Sequence, residues 1–289
     1  MKRKFTFVEL IRVIYPPVLY LTIMSVVLLG FEYLLVANNP TVVSDSNRFN
    51  EIINSKTLET NLVSVMCSIP VFSALMYYDV QRDKSRNEYI KWQTQKAWKY
   101  LLIIPLAFFS MVFGNDLVLV LESFMSQNML DDYARVEKII YGSSFIVVLL
   151  SSGVLGPIVE ELVFRGLVYK RLRKCFGFFS SAIASAIIFG FFHLNMVQFV
   201  YAFIMGIIMA FVFENYGIIG SSIMHMTANT IGVVVSFHNG LESNTATEFS
   251  SEVIISALYG ACVFGIFTVL FIIVINAVCA KDNNSKMIA

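Results

Sequence analysis

"GPIVEELVFRG", residues 156–166, sets two adjacent carboxylates, Glu160 and Glu161, and a guanidinium, Arg165, inside an otherwise apolar run. On a helix, residues four apart share a face, so Arg165 reaches back to Glu161. Glu160 is turned about 100° away from Glu161 by the 3.6-residue repeat. One acid therefore has a built-in partner and the other has none. A solvated helix end would account for three charges, but the helical pattern runs on to about Lys174. The fourteen residues from Glu160 to Lys174, at about 1.5 Å each, put Glu160 roughly 20 Å before that end. The basic cluster at 170–174 marks a boundary, and Glu160 lies well inside it.

The surroundings make that position costly. Of 289 residues, 57% are hydrophobic and only 14% charged, with a mean hydropathy of +0.72. Soluble domains carry nearer a quarter charged residues. The chain reads as an all-α, polytopic membrane protein, one transmembrane domain over 1–289. A net charge of +1 offers no basic field and so excludes nucleic acid as a partner. Cys67, Cys175, Cys262 and Cys279 form no CxxC or Cys/His spacing and read as apolar packers. The first apolar run, about 13–37, is too long for a signal peptide and is followed by no A-x-A site, which predicts a retained span.

A spanning helix needs roughly 20 apolar residues. Runs of that kind fall near 13–37, 61–78, 99–125, 140–165, 178–194, 196–214, 217–237 and 253–280, which predicts about eight transmembrane helices. Lysine and arginine divide 17 to 4 between the two sides, so both termini are expected in the cytoplasm of a multi-pass cell-membrane protein. The loop "HNGLESNTATEFSSE" on the opposite side contains neither residue. Trp92 and Trp98 in the basic second loop suggest a segment lying in the cytoplasmic interface. "FGNDLVLV" suggests a helix break at Asp116 near the outer face. An abundance of Ile, Phe, Asn and Lys points to a low-GC bacterium.

Ionisable groups inside spans face the bundle interior or a wet cavity. Phe189 and His193, in "FGFFHLN", share one helix face, so the ring covers one side of the imidazole. Ala182, Ala186 and Gly190 form a small-residue stripe that lets this span pack centrally. His225 and Asn229, in "HMTAN", repeat the same spacing two predicted spans later, where interhelical polar bonding explains them as well as function does until the other positions are considered. Of three histidines only His238 falls in a loop. A carboxylate, two imidazoles and a carboxamide meeting in one cavity make a set of general base and oxyanion donors.

Glu160-Glu161-x-x-x-Arg165, Phe189-x-x-x-His193 and His225-x-x-x-Asn229, in that order, resemble the three motifs of the CPBP family. That family comprises CAAX prenyl endopeptidases and bacteriocin-processing intramembrane proteases and is also called Abi. The motif-bearing core covers about 150–235. The resemblance implies a type II CAAX prenyl endopeptidase-like bundle and hydrolysis of a peptide or membrane-anchored substrate near the cytoplasmic side. It implies that Glu160 activates water with help from His193, that His225 and Asn229 hold the oxyanion, and that Glu161, Arg165 and Phe189 support them. No cofactor is favoured; if zinc is bound, the ligands are Glu160, His193 and His225.

Roles without catalysis occur on the same scaffold within the family. They give an alternative reading as a membrane scaffold, a bacteriocin self-immunity factor, or a regulator of a membrane sensor kinase. Beside the substrate and the lipid bilayer, a sensor kinase or a peptide exporter are then the partners to consider. A transporter or proton relay is weaker, since no inverted repeat appears.

Overall fold

The computed structural model describes residues 3–89, 92, 94–239 and 249–288, with side chains as far as 280. Helix α1 (Phe7–Asn38) starts on Thr6, whose hydroxyl accepts from the Glu9 amide. A 3₁₀ turn, Pro40–Ser44, leads to α2 (Ser46–Ser85), where the Asp45 carboxylate accepts from the amides of Asn47 and Arg48. These caps satisfy amide donors that the first turn of a helix leaves open. Another 3₁₀ segment, Ala97–Leu102, enters α3 (Ile103–Glu122). Helix α4 (Gln127–Tyr141) buries no residue and is amphipathic, with polar and charged residues on one side. Helix α5 (Phe145–Cys175) and the shorter α6 (Phe178–Phe192) follow.

The next helical stretch, Met196–His238, contains Gly217 at φ 65° and ψ −164°. That backbone region is essentially restricted to glycine. Its two arms, α7 (196–216) and α8 (218–238), run in opposite directions, as their neighbours show. Gly206 lies against Ala186 and Phe199 against Gly190, so α7 returns antiparallel along α6. Asn229 bonds Ser152 and Phe237 packs on Phe145, so α8 runs antiparallel to α5. Helix α9 (Ser251–Ile288) packs on α3 through Phe109, which stacks on Phe267 at 4.9 Å. Among the described residues six helices are long and apolar enough to cross a membrane. Folding one of them in two at Gly217 and adding the apolar α6 yields the eight passes that hydropathy predicts.

One hydrophobic core draws on every apolar helix, from Val13 and Tyr20 in α1 to Ile275 and Cys279 in α9. The small-residue stripe of α6 serves as expected. Ala182 packs with Ala210, and a side chain at Gly206 would meet Ala186 Cβ at 2.9 Å. The predicted break at Asp116 is not found: α3 continues through it, because the carboxylate lies over Gly260, where no side chain competes for the space. Trp92 packs on Phe213 at 4.8 Å and on Tyr169 at 6.4 Å, whereas Trp98 is exposed.

The basic end is a buried network as well as a charged surface. Arg171 bonds Asp79 at 2.7 Å and the Tyr15 hydroxyl at 2.8 Å, and Arg12 bridges Glu9 (3.1 Å) and Asp79 (3.3 Å). Lys174 and Lys170 both face Asp83, and Arg173 pairs with Glu214 at 2.6 Å. The network ties α1, α2, α5 and α7 together at one level. Of the basic residues expected on this side, Lys2, Lys91 and the side chains of Lys281 and Lys286 lie outside the described residues. So does 240–248 of the loop expected to lack Lys and Arg.

Candidate active site

Helix α5 is not a uniform α-helix. An α-helical segment, Gly156–Glu161, with Pro157 in its first turn, stands between two stretches of π-helical turns, Leu149–Leu155 and Leu162–Tyr169. A wider turn shifts the register of side chains, and such turns occur often at functional sites. Gly156 permits the first of them, since a Cβ there would lie 2.4 Å from the Ser151 carbonyl oxygen. The two glutamates follow directly.

Glu161 is fully buried and accepts from two sides. Arg165 Nη1 lies 3.1 Å from its Oε1, as the spacing predicts, and His225 Nδ1 donates to the same oxygen at 3.0 Å. The Arg165 guanidinium also lies over the Phe189 ring, 4.5 Å from its centroid. A desolvated cation on an aromatic face is favourable. Phe189 thus supports Arg165 from below while its edge meets His193 (4.9 Å) and His225 (5.8 Å). Glu160 points elsewhere. Its side chain is 19% exposed, and its Oε2 is 3.5 Å from His225 Nε2.

His193 closes the end of α6, and its Nδ1 donates to the Phe189 carbonyl at 2.9 Å. The chain turns at once through Leu194, at φ 55°, into Asn195. Asn195 Oδ1 caps α7 by accepting from the amides of Val197 and Gln198. His193 is therefore held between a helix end and a capped helix start. Asn229 Nδ2 donates to the Ser152 carbonyl at 3.0 Å, and the Thr230 hydroxyl to that of Gly153 at 3.3 Å.

Glu160, Phe189, His193, His225 and Asn229 all line one cavity of about 1060 Å³. Small-molecule pockets span roughly 300–1,000 Å³, so this one has room for an extended peptide segment. It runs away from the basic end, and Glu122 of α3 and Arg135 and Glu137 of α4 line its far part. Burial, opposed by a hydrogen bond from Tyr133, holds the Glu137 carboxyl above the usual carboxylate range. Along its helix Glu160 is roughly 20 Å from the basic end.

Every residue singled out in the sequence reaches the site, with Glu161 and Arg165 behind it rather than in its wall. Spacing did not disclose the bond between Glu161 and His225, nor the carbonyls of Ser152 and Gly153 that hold α8. The small polar run "SSG" at 151–153 is the trace they leave. The zinc set of Glu160, His193 and His225 lines the same cavity. Both imidazoles would have to bind through Nε2, since Nδ1 of His193 faces the Phe189 carbonyl and Nδ1 of His225 faces Glu161, an arrangement that zinc sites also use. Among the described residues no three His, Cys, Asp or Glu side chains are grouped closely enough to hold a metal ion.

Neither curated proteins nor solved structures include a significant match to the chain. Residues 142–231 match the family described as type II CAAX prenyl endopeptidase Rce1-like. The matched stretch begins just before α5 and ends in α8, so it contains all three motif pairs and the glycine reversal between the last two. The chain is thus a multi-pass membrane protein whose residues 142–231 are similar to the type II CAAX prenyl endopeptidase Rce1-like family.

Proposed function

We propose that the protein is an endopeptidase that hydrolyses a peptide or membrane-anchored substrate inside its cavity, with Glu160 as the base. The observation that carries this reading is the meeting of Glu160, His193, His225 and Asn229, from α5, α6 and α8, on one membrane-embedded cavity. Two adjacent acids take different places. Glu161 is buried with its Oε1 held by Arg165 and His225, and of the two only Glu160 lines the space where a substrate can lie.

The chemistry follows from the proton positions. His193 donates from Nδ1 to a carbonyl, so in its neutral form Nε2 presents a lone pair. A water held by that lone pair and Glu160 gives its proton to the carboxylate, and the oxygen adds to the scissile carbonyl carbon. Negative charge then develops on the carbonyl oxygen, where the second N–H of Asn229 and, in its doubly protonated form, His225 Nε2 donate. Collapse breaks the C–N bond. Glu160 returns its proton to the departing nitrogen, leaving a carboxylic acid and an amine.

Glu160→Ala in the full chain is expected to abolish release of cleaved peptides from membranes, a loss of at least about 100-fold. Mass spectrometry of peptides from cells carrying either form reads this directly. Cleavage that persists in Glu160→Ala sinks the proposal. Since the reaction is written without metal, wild-type cleavage is expected to survive a strong zinc chelator; loss that zinc restores would reverse that part.

A further inference from the structure

Tyr20 belongs to α1, far outside the matched stretch, yet it lines the same cavity and is within electrostatic reach of Glu160. It is only 2% exposed. Its ring is stacked on Phe192 at 5.1 Å and 11°, and stands edge-on to Phe72 at 5.8 Å. These contacts fix the ring from two sides and leave its hydroxyl without a hydrogen-bond partner among the described residues. The hydroxyl oxygen is not sealed from the cavity, so a bound molecule can supply the partner. The packing holds the hydroxyl at the cavity wall instead of letting it turn away to find one in the protein.

The other polar groups around Glu160 show what is missing. Asn229 spends one N–H on the Ser152 carbonyl, His193 spends Nδ1 on Phe189, and His225 spends Nδ1 on Glu161. Neutral imidazoles so arranged offer lone pairs to the cavity, not donors. Beside the one N–H left on Asn229, a hydroxyl that donates whatever the charge of the histidines supplies a second donor.

We propose that Tyr20 is a further catalytic residue, whose hydroxyl donates a hydrogen bond to the carbonyl oxygen of the bound peptide and to the oxyanion formed from it. The proposal rests on the peptidase reading above. It makes α1 part of the active site, not merely a wall of the bundle.

Tyr20→Phe keeps the ring between Phe72 and Phe192 and removes only the O–H. The assay uses full-length protein in proteoliposomes and an internally quenched library of apolar 20-residue peptides. Tyr20→Phe is expected to lower kcat by about 10- to 100-fold, with KM within about twofold and both limbs of the pH profile in place. A rate within twofold of wild type while Glu160→Gln is inactive overturns the role of Tyr20 and leaves Glu160 standing. Displaced pH limbs would mean that Tyr20 positions Glu160, which also overturns the donor role. A fully active Glu160→Gln overturns the peptidase reading and this proposal with it. Binding of a peptide phosphinate, a tetrahedral anion mimic, gives a readout without turnover. Tyr20→Phe is expected to bind it at least 10-fold more weakly, and equal affinity in both proteins, including none in either, overturns the proposal.

Discussion

Two neighbouring glutamates show how far one residue's rotation goes. Glu161 is enclosed by Arg165 and His225, and the Arg165 guanidinium, 1% exposed, rests on Phe189. Removing the charge of Glu161 leaves a buried cation uncompensated, a change that costs about 3–5 kcal/mol. Glu160 borders a cavity and compensates no buried arginine at contact distance. The same substitution at adjacent positions is therefore expected to have opposite results. Glu161→Gln lowers the thermal unfolding midpoint in detergent by several degrees, whereas Glu160→Gln keeps the midpoint within a degree or two and removes activity. Equal midpoints for the two variants would mean that the ion pair does not carry the stability assigned to it.

Reversals rather than spans decide the elements. Gly217 makes α7 and α8 antiparallel in a single residue, with a backbone conformation that costs a Cβ-bearing residue about 1–3 kcal/mol. Gly217→Ala is expected to lose stability of that size in thermal or denaturant unfolding and to displace His225, eight residues on. Wild-type stability would show that the turn relaxes freely. The eight apolar passes were legible in hydropathy because length and composition alone let a helix cross lipid. The motif residues were legible because i, i+4 spacing defines a face. The π-helical turns in α5 left only Gly156 as a sign, since a glycine permits the wider turn without announcing it. Tyr20 was illegible for another reason. It reaches Glu160 through the packing of α1, and no spacing in the chain connects positions so far apart. The basic cluster at 170–174 was read as an interface marker, yet Lys170, Arg171 and Lys174 are buried against Asp79 and Asp83. Counting cations missed the acids that fold them inward.

Across the whole molecule, the charged network closes one end and the cavity departs towards the other. Arg12, Asp79, Asp83, Arg171 and Lys174 fill the first end, where Lys99 also donates to the Val278 carbonyl. Along the cavity from Glu160 lie Gln198, Ser236 and, at the far part, Glu137. With the basic end in the cytoplasm, as the distribution of Lys and Arg argues, the proposed reaction predicts that substrate and water reach Glu160 from the outer side. A single-cysteine series in a background freed of Cys67, Cys175, Cys262 and Cys279 tests both statements together. Ser236→Cys in intact cells is expected to react with a membrane-impermeant maleimide and to lose cleavage once labelled. Ser85→Cys, exposed at the basic end, is expected to react only after the cells are opened. Labelling in the reverse pattern overturns the orientation but keeps the path. Reaction at Ser236→Cys that leaves cleavage intact overturns the path, since a bulky adduct there would block the only route this geometry assigns to the peptide.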